Sequence, residues 1–307
     1  MDRLFLVDLL TASVRIAAPL ILGALGGLLS ERAGVFAVGI EGMMLAGAFG
    51  AAVGSFVTGT PLAGLLMAIV AGGLIAAVVA VAVTRFRADQ MVTGLAVNIL
   101  AFGLTSFLLR GLFGGRAPVI RLETFSAIKI PVLSDLPAVG QILFQQSALS
   151  YTAVAIALIL HVVIYRTRAG LTLRATGENP EAVFAAGGNP NRIRRLAVIL
   201  GGAIAGLGGA VLALQDVGTF TDGMTGGRGF LALAALIVGR WTPFGALAAC
   251  LVFGAATALE VRLQGFNLAV SSYVIQMIPY LLALVVLAGL GRGTRMPQAI
   301  GRAYSAS

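Results

Sequence analysis

The sequence predicts an all-α fold, a polytopic bundle of transmembrane helices, and three observations predict it. Hydrophobic residues make up 59% of the 307 and charged residues only 11%, with a mean hydropathy of +0.99, which a water-soluble globule cannot carry. Apolar runs recur at the length of about 17–25 residues that crosses roughly 30 Å of hydrocarbon. The period-two alternation of a membrane β-barrel is absent. Many of the 41 glycines stand in small-xxx-small spacing, as in Gly201, Ala205 and Gly209, which lets helices approach closely.

Taken in order, residues 1–13 carry Asp2, Arg3 and Asp8 and lack the basic start of a secretory signal, so 9–30 is expected as a first, retained membrane helix. Arg15 would snorkel from it to an interface. The stretch from Ser30 to Met44 follows, with Glu31, Arg32 and Glu41 among apolar residues and Gly34, Gly39 and Gly42 permitting a break. Charges so placed face protein, water or solute, or, as the plain structural alternative, Glu31 and Arg32 pair at a helix end. Helices are expected at 43–58 and 62–84, separated by Thr58-Gly59-Thr60-Pro61 and stopped by Arg85 and Arg87. The next, 91–113, holds Thr93 and Asn98 inside and Arg110 near its end; such an Asn serves either a helix–helix hydrogen bond or a ligand.

Residues 114–147, with Pro118, Pro131 and Pro137, read as a loop on the outer face. Helix 148–165 carries His161, which is expected to pack rather than relay protons. Helix 196–215 ends in Gln215-Asp216, and the Gly/Thr-rich loop 217–228 leads to a short apolar run at 229–239. That run breaks at Gly239-Arg240-Trp241-Thr242-Pro243, a longer helix reaches Glu260-Val261-Arg262, and a last span covers 268–290 with Gln276 and Pro279. The total is roughly eight spans with two broken or re-entrant segments, 31–58 and 229–243, in a single transmembrane domain over 1–307. Thr60-Pro61 through Gly72 matches Thr242-Pro243 through Gly254, which suggests an inverted repeat.

Between two spans lies the longest polar, basic stretch, 166–195, with Arg166, Arg168, Arg174, Arg192, Arg194 and Arg195 against Glu178 and Glu181. Its centre reads as a short helix: Asn179 as N-cap, Pro180 in the first turn, Glu181 opposing the positive helix start, and Gly187 ending it. Asn189-Pro190 marks a second start. Placing 85–90, 166–195 and 291–307 in the cytosol puts most basic residues inside and the N-terminus outside.

The inventory excludes several chemistries. Lys129 is the only lysine and lies outside any phosphate loop, so a Walker A site is ruled out and ATP must be handled by another chain. One histidine and one cysteine, His161 and Cys250, leave no His/Cys metal site, no His-dependent triad and no internal disulfide. The net charge of +9 does not indicate nucleic acid, because the arginines sit at helix ends rather than on one soluble face.

The run G-L-x-L-R-A-x-G-E-N-P-x-A-x-x-A-A-G from Gly170 to Gly187, followed by arginines and a Gly/Ala-rich span, resembles the permease subunits of ABC importers. So does E-R-x-G-V-x-x-x-G-x-E-G-M from Glu31 to Met43, with Ala37 where the family usually has asparagine. The branch is the one for branched-chain amino acids, simple sugars and nucleosides, and the two patterns look most like nucleoside permeases. The resemblance implies that Glu178, Asn179, Pro180, Glu181, Phe184 and Gly187 belong to a coupling helix that docks on an ATPase subunit, and that the 31–43 pattern lies near the translocation cavity. It further implies a second homologous permease, an extracytoplasmic substrate-binding protein, ATP and Mg on the partner rather than on this chain, alternating access, and a multi-pass location in the prokaryotic plasma (inner) membrane. On this reading the chain does no covalent chemistry.

Glu41, Asn98 and Gln215 belong to different helices, and hydrocarbon penalises each by a few kcal/mol. With Glu31 they are the expected substrate pathway. Convergence on one cavity would suit a neutral, hydrogen-bonding solute such as a nucleoside, whereas a branched-chain amino acid calls for paired charges and an apolar pocket. Permeases for sugars or branched-chain amino acids are the near alternatives. An ion-coupled secondary transporter is the alternative of another class, separable because its transport would fail with an uncoupler rather than on ATP depletion.

Overall fold

Glycine, proline and arginine set the helix ends. The computed structural model describes residues 3–113, 139–265, 271–290 and 296–304, together with Phe125, Ile128 and Ser134. Helix α1 (Arg3–Arg32) is followed by an extended break and α2 (Ile40–Thr58), then α3 (Pro61–Arg85) and α4 (Gln90–Phe113). A short α5 (Val139–Leu143) precedes α6 (Ala148–Arg166), α7 (Arg168–Glu178), α8 (Pro180–Ala185) and α9 (Pro190–Val211). The last of these runs into a π-helical turn, Leu212–Val217, and then come α10 (Arg228–Val238), α11 (Pro243–Gln264), α12 (Ser272–Gln276) and α13 (Ile278–Leu290). Among the described residues seven helices are long and apolar enough to cross a membrane, and α10 and 273–289 are shorter apolar helices. The protein is a multi-pass helical membrane bundle.

Helices α3 and α11 both start at a Thr-Pro step with proline in the first turn, and both carry an arginine in the last turn. Helix α3 runs towards the end of the bundle that holds Gln90 and residues 296–304, and α11 runs away from it, since Trp241 lies beside Arg32 and Arg262 beside Asp8. The matched segments are therefore antiparallel. That basic end also gathers the close of α1, α7, α8 and the start of α9.

Two expectations change. The stretch 166–195 is not a loop with one short helix: α7 precedes α8, capped by Thr167, whose hydroxyl accepts from Gly170 N at 3.1 Å. Asn189 caps α9, accepting from Arg192 N at 3.0 Å, so Arg192, Arg194 and Arg195 are helical residues. The last span is split at Met277, because Pro279 has no N–H to return to the carbonyl of residue 275. Most of the expected loop 114–147, including Pro118, Pro131, Pro137 and Lys129, lies outside the described residues, as do Arg292 and Arg295.

The centre of the bundle is α2, buried along most of its length and packed against α3 and α9. Outward faces of α4, α6 and α13 show apolar residues such as Ile99, Phe107, Ile159 and Leu284, as lipid contact requires. Close approach depends on missing side chains: a Cβ at Gly209 would strike the Met44 carbonyl and the Ala48 nitrogen of α2, whereas one at Gly103 meets open space. Gly209→Ala is therefore expected to lower stability by about 3 kcal/mol or more through overpacking. Gly103→Ala should be neutral or gain up to about 1 kcal/mol from helix propensity. Thermal unfolding of the two variants in detergent checks this; equal midpoints would contradict it.

Candidate functional site

The two acids of the 31–43 pattern hold opposite ends of one half-length helix, α10. Its 11 residues span roughly 16 Å at 1.5 Å each, about half of a bilayer's hydrocarbon. At its N-terminus the free N–H groups meet Glu41. Oε1 accepts from Gly227 N at 2.9 Å and from the Thr225 hydroxyl at 2.6 Å, and Oε2 accepts from Gly229 N at 2.7 Å. A carboxylate placed there also opposes the positive end of the helix dipole. Position 229 has to be glycine, because a Cβ would run into the backbone of Glu41.

Beyond the other end of α10, Arg240 and Trp241 both take left-handed backbone angles, φ 53° and 52°. Each costs about 1–2 kcal/mol for an L-residue. Trp241 is held there by both charges at the end of α1. Its indole N–H donates to Glu31, which is fully buried and also accepts from Ala37 N at 3.3 Å. Its carbonyl accepts from Arg32 Nε at 2.8 Å, while Arg32 Nη2 donates to the Tyr165 hydroxyl at 3.2 Å. Glu31 and Arg32 thus share Trp241 as partner instead of pairing with each other. Ala37 supplies its backbone N–H to Glu31 and packs its methyl in the core with Ile40 and Met43.

Helix α4 fixes the break between α1 and α2 at two heights. Gln90 accepts from Phe36 N at 2.7 Å and donates to Gly34 O at 3.4 Å. Asn98, about 12 Å further along the helix, accepts from Gly42 N at 2.8 Å and donates to Val38 O at 3.0 Å. Asn98 thereby satisfies backbone groups that the break frees, which hydrocarbon cannot do.

Gln215 lies elsewhere, on the π-helical turn. Its carbonyl accepts from Arg15 Nη2 at 2.9 Å, and Arg15 Nε pairs with Asp216 at 3.2 Å. Its side-chain nitrogen is 3.5 Å from the Ser150 hydroxyl. Glu41 and Asn98 therefore flank one turn, Glu31 sits at the basic end of the bundle, and Gln215 joins neither. The structure does not bring Glu41, Asn98 and Gln215 together: Glu41 and Asn98 are bonded to backbone around the break and α10, and Gln215 to Ser150 and Asp216 through its side-chain nitrogen.

A cavity of about 180 Å³ does lie beside the capped end of α10, between α1, α11 and α12–α13. One water needs only about 10–15 Å³ of such space. Arg228, Thr257, Glu260, Gln276 and Tyr280 line it, with Leu20 and Leu231 as an apolar wall. Arg228 donates to Met224 O at 3.1 Å, and the Tyr280 hydroxyl donates to Gly226 O at 3.1 Å. Among the described residues no ion pair joins Arg228 to Glu260. The cavity offers donors, an acceptor and an apolar face without covalent reactivity. Arg228 falls at the end of the Gly/Thr-rich loop 217–228 and is not among the expected pathway residues. The readable signal was its place in Gly226-Gly227-Arg228-Gly229, before an apolar run too short to span.

At the basic end, α8 is capped by Asn179, whose Oδ1 accepts from Ala182 N at 3.0 Å. Glu178, Asn179, Glu181, Phe184 and Gly187 are exposed, Pro180 is half-buried, and Val183 points inward. Phe184, 51% exposed, stands at the tip of this short capped helix. His161 packs between Tyr165 and Phe244, with ring centroids 5.1 and 4.5 Å away.

A bundle of this kind, with a half-helix clamped beside a polar cavity, is that of a membrane permease. Residues 9–290 match the family described as "Branched-chain amino acid transport system / permease component", and the chain belongs to that family. It is 39% identical over 305 residues to the guanosine ABC transporter permease protein NupQ of Bacillus subtilis (strain 168), covering 95% of each chain. It is 37% identical over 282 residues to the nucleoside ABC transporter permease protein NupC of Lactococcus lactis subsp. cremoris (strain MG1363), covering 89% of this chain and 88% of that one. The fold is shared with PsaBC from Streptococcus pneumoniae in complex with Fab, at TM-score 0.50 and 18% identity over 94% of this chain and 92% of that chain. The chain is thus the permease subunit of an ABC system with ATPase and substrate-binding partners, and is not itself an enzyme. Family membership sets aside the ion-coupled secondary transporter.

Proposed function

We propose that this chain imports nucleosides across a prokaryotic plasma membrane, paired with a second homologous permease and driven by an ATPase subunit that holds ATP and Mg. The observation that carries the reading is the 39% identity to a guanosine permease over 95% of both chains. The cavity beside α10 agrees with it, since a base edge and a ribose need donors and acceptors, and the base face needs an apolar wall. Solute arrives from an extracytoplasmic binding protein. Docking of α8 on the ATPase then moves the basic end of the bundle, and the cavity alternates between the two sides. In this scheme Glu41, Asn98 and Glu31 serve the pathway by holding its helices, and Arg228, Glu260, Gln276 and Tyr280 meet the solute.

One observation favours a second reading: Arg228 and Glu260 facing one apolar-walled cavity also suit the two charges of a branched-chain amino acid. Uptake of labelled guanosine, leucine and glucose by the reconstituted complex separates these readings. Guanosine uptake that leucine and glucose do not compete with is expected. Glu260→Gln should raise its half-saturating concentration about tenfold, the loss of roughly one charge-assisted hydrogen bond. Leucine uptake without nucleoside competition would sink the nucleoside reading and leave the permease assignment standing.

A further inference from the structure

We propose that the C-terminal segment, residues 296–304, forms one composite docking surface with α8 for the ATPase subunit, held in place by the buried side chain of Arg194. The proposal rests on the reading of α8 as the docking helix and adds a second element to it. Many hydrogen bonds tie this segment to the bundle. Arg194 is 1% exposed, and among the described residues no ion pair joins it to a carboxylate. Its guanidinium donates to the carbonyls of Arg302 at 2.9 Å, Ala33 at 3.2 Å and Ala299 at 3.4 Å. Gln90 accepts from Gly301 N at 3.1 Å, and Ala299 N donates to Gly177 O at 2.8 Å, one residue before Glu178. A buried cation satisfied by carbonyls of two segments makes the position of one depend on the other.

The surface that results is continuous. Tyr304 is buried, with its ring centroid 6.4 Å from that of Phe184, so the segment buttresses the exposed ring of α8 from behind. Between the two elements runs a groove of about 470 Å³, with Glu178, Asn179 and Glu181 on one wall and Gln298, Arg302 and Ala303 on the other. A partner seated on Phe184 covers this groove. Carboxylates on one wall and a guanidinium on the other suit polar side chains of a folded protein better than a uniformly anionic lipid surface. Arg194 also binds Ala33, at the start of the break whose far end carries Glu41. Force on the composite surface therefore reaches the segment that caps α10.

The experiment uses the whole complex with its ATPase and two substitutions that leave the backbone carbonyls in place, Arg302→Glu and Ala303→Trp. Each is expected to weaken ATPase co-purification and guanosine-stimulated hydrolysis about tenfold, with an unchanged unfolding midpoint. Normal ATPase binding by both, while Phe184→Asp releases the ATPase, overturns the proposal and leaves the α8 reading intact. Normal binding by all three overturns both. A loss that depends on anionic lipid in the vesicles, with ATPase binding intact, also overturns it.

Discussion

Replacing Glu41 by alanine is expected to leave little folded, transport-competent protein. The carboxylate is the common acceptor for the Thr225 hydroxyl and for Gly227 N and Gly229 N. Those donors would lose their shared acceptor, at about 1–3 kcal/mol for each that stays unpaired. A loss of at least about 3 kcal/mol is a large part of the 5–15 kcal/mol that holds a typical domain together. Glu41→Gln should lie between, because its amide oxygen can still accept while its NH₂ opposes a donor. Unfolding midpoints in detergent, read beside uptake in vesicles, would test the order wild type, Gln, Ala. An alanine variant with the wild-type midpoint and uptake would show that α10 does not depend on this cap.

The same residue shows how far a sequence can be read. That Glu41, Asn98 and Glu31 need partners follows from composition and hydropathy, because an ionisable or amide group among apolar neighbours must be satisfied. Which partner each finds does not follow. Glu41 meets Thr225 across 184 positions and Gln90 meets Gly301 across 211. Nothing local to either residue encodes those meetings. Helix ends were legible for the opposite reason: the Thr-Pro starts of α3 and α11, the Asn-Pro starts of α8 and α9 and the arginine stops act within one turn. Helix α7 escaped notice because it is short and polar, with Arg168 and Arg174 obscuring its apolar face. Leu173 and Thr176, buried on that face, were the available sign. The cavity escaped because Arg228, Glu260 and Tyr280 come from three elements, each charge or phenol unremarkable where it stands.

Phe184→Asp and Glu181→Arg are expected to stop transport without reducing membrane insertion. Both side chains are exposed on one side of α8, and Val183, turned away from them, carries the inward contact. Neither substitution removes the Asn179 cap or opens the core, so the unfolding midpoint should move little, within about 0.5 kcal/mol. What is lost is a surface: an aromatic anchor at the centre of a protein interface is worth about 2–4 kcal/mol, which converts to roughly 30- to 1000-fold in association. Arginine at 181 also places a cation at the positive end of α8 beside Arg302, repelling where the carboxylate attracted. Val183→Asp is the contrasting variant, expected to unfold the segment because Val183 is 7% exposed and Gly188 packs against it. Measured together, ATPase co-purification, solute-stimulated hydrolysis and uptake should fall for Phe184→Asp and Glu181→Arg while yield in the membrane holds. Normal hydrolysis and transport in both would mean that α8 is a solvated turn and that the ATPase docks elsewhere on this end of the bundle.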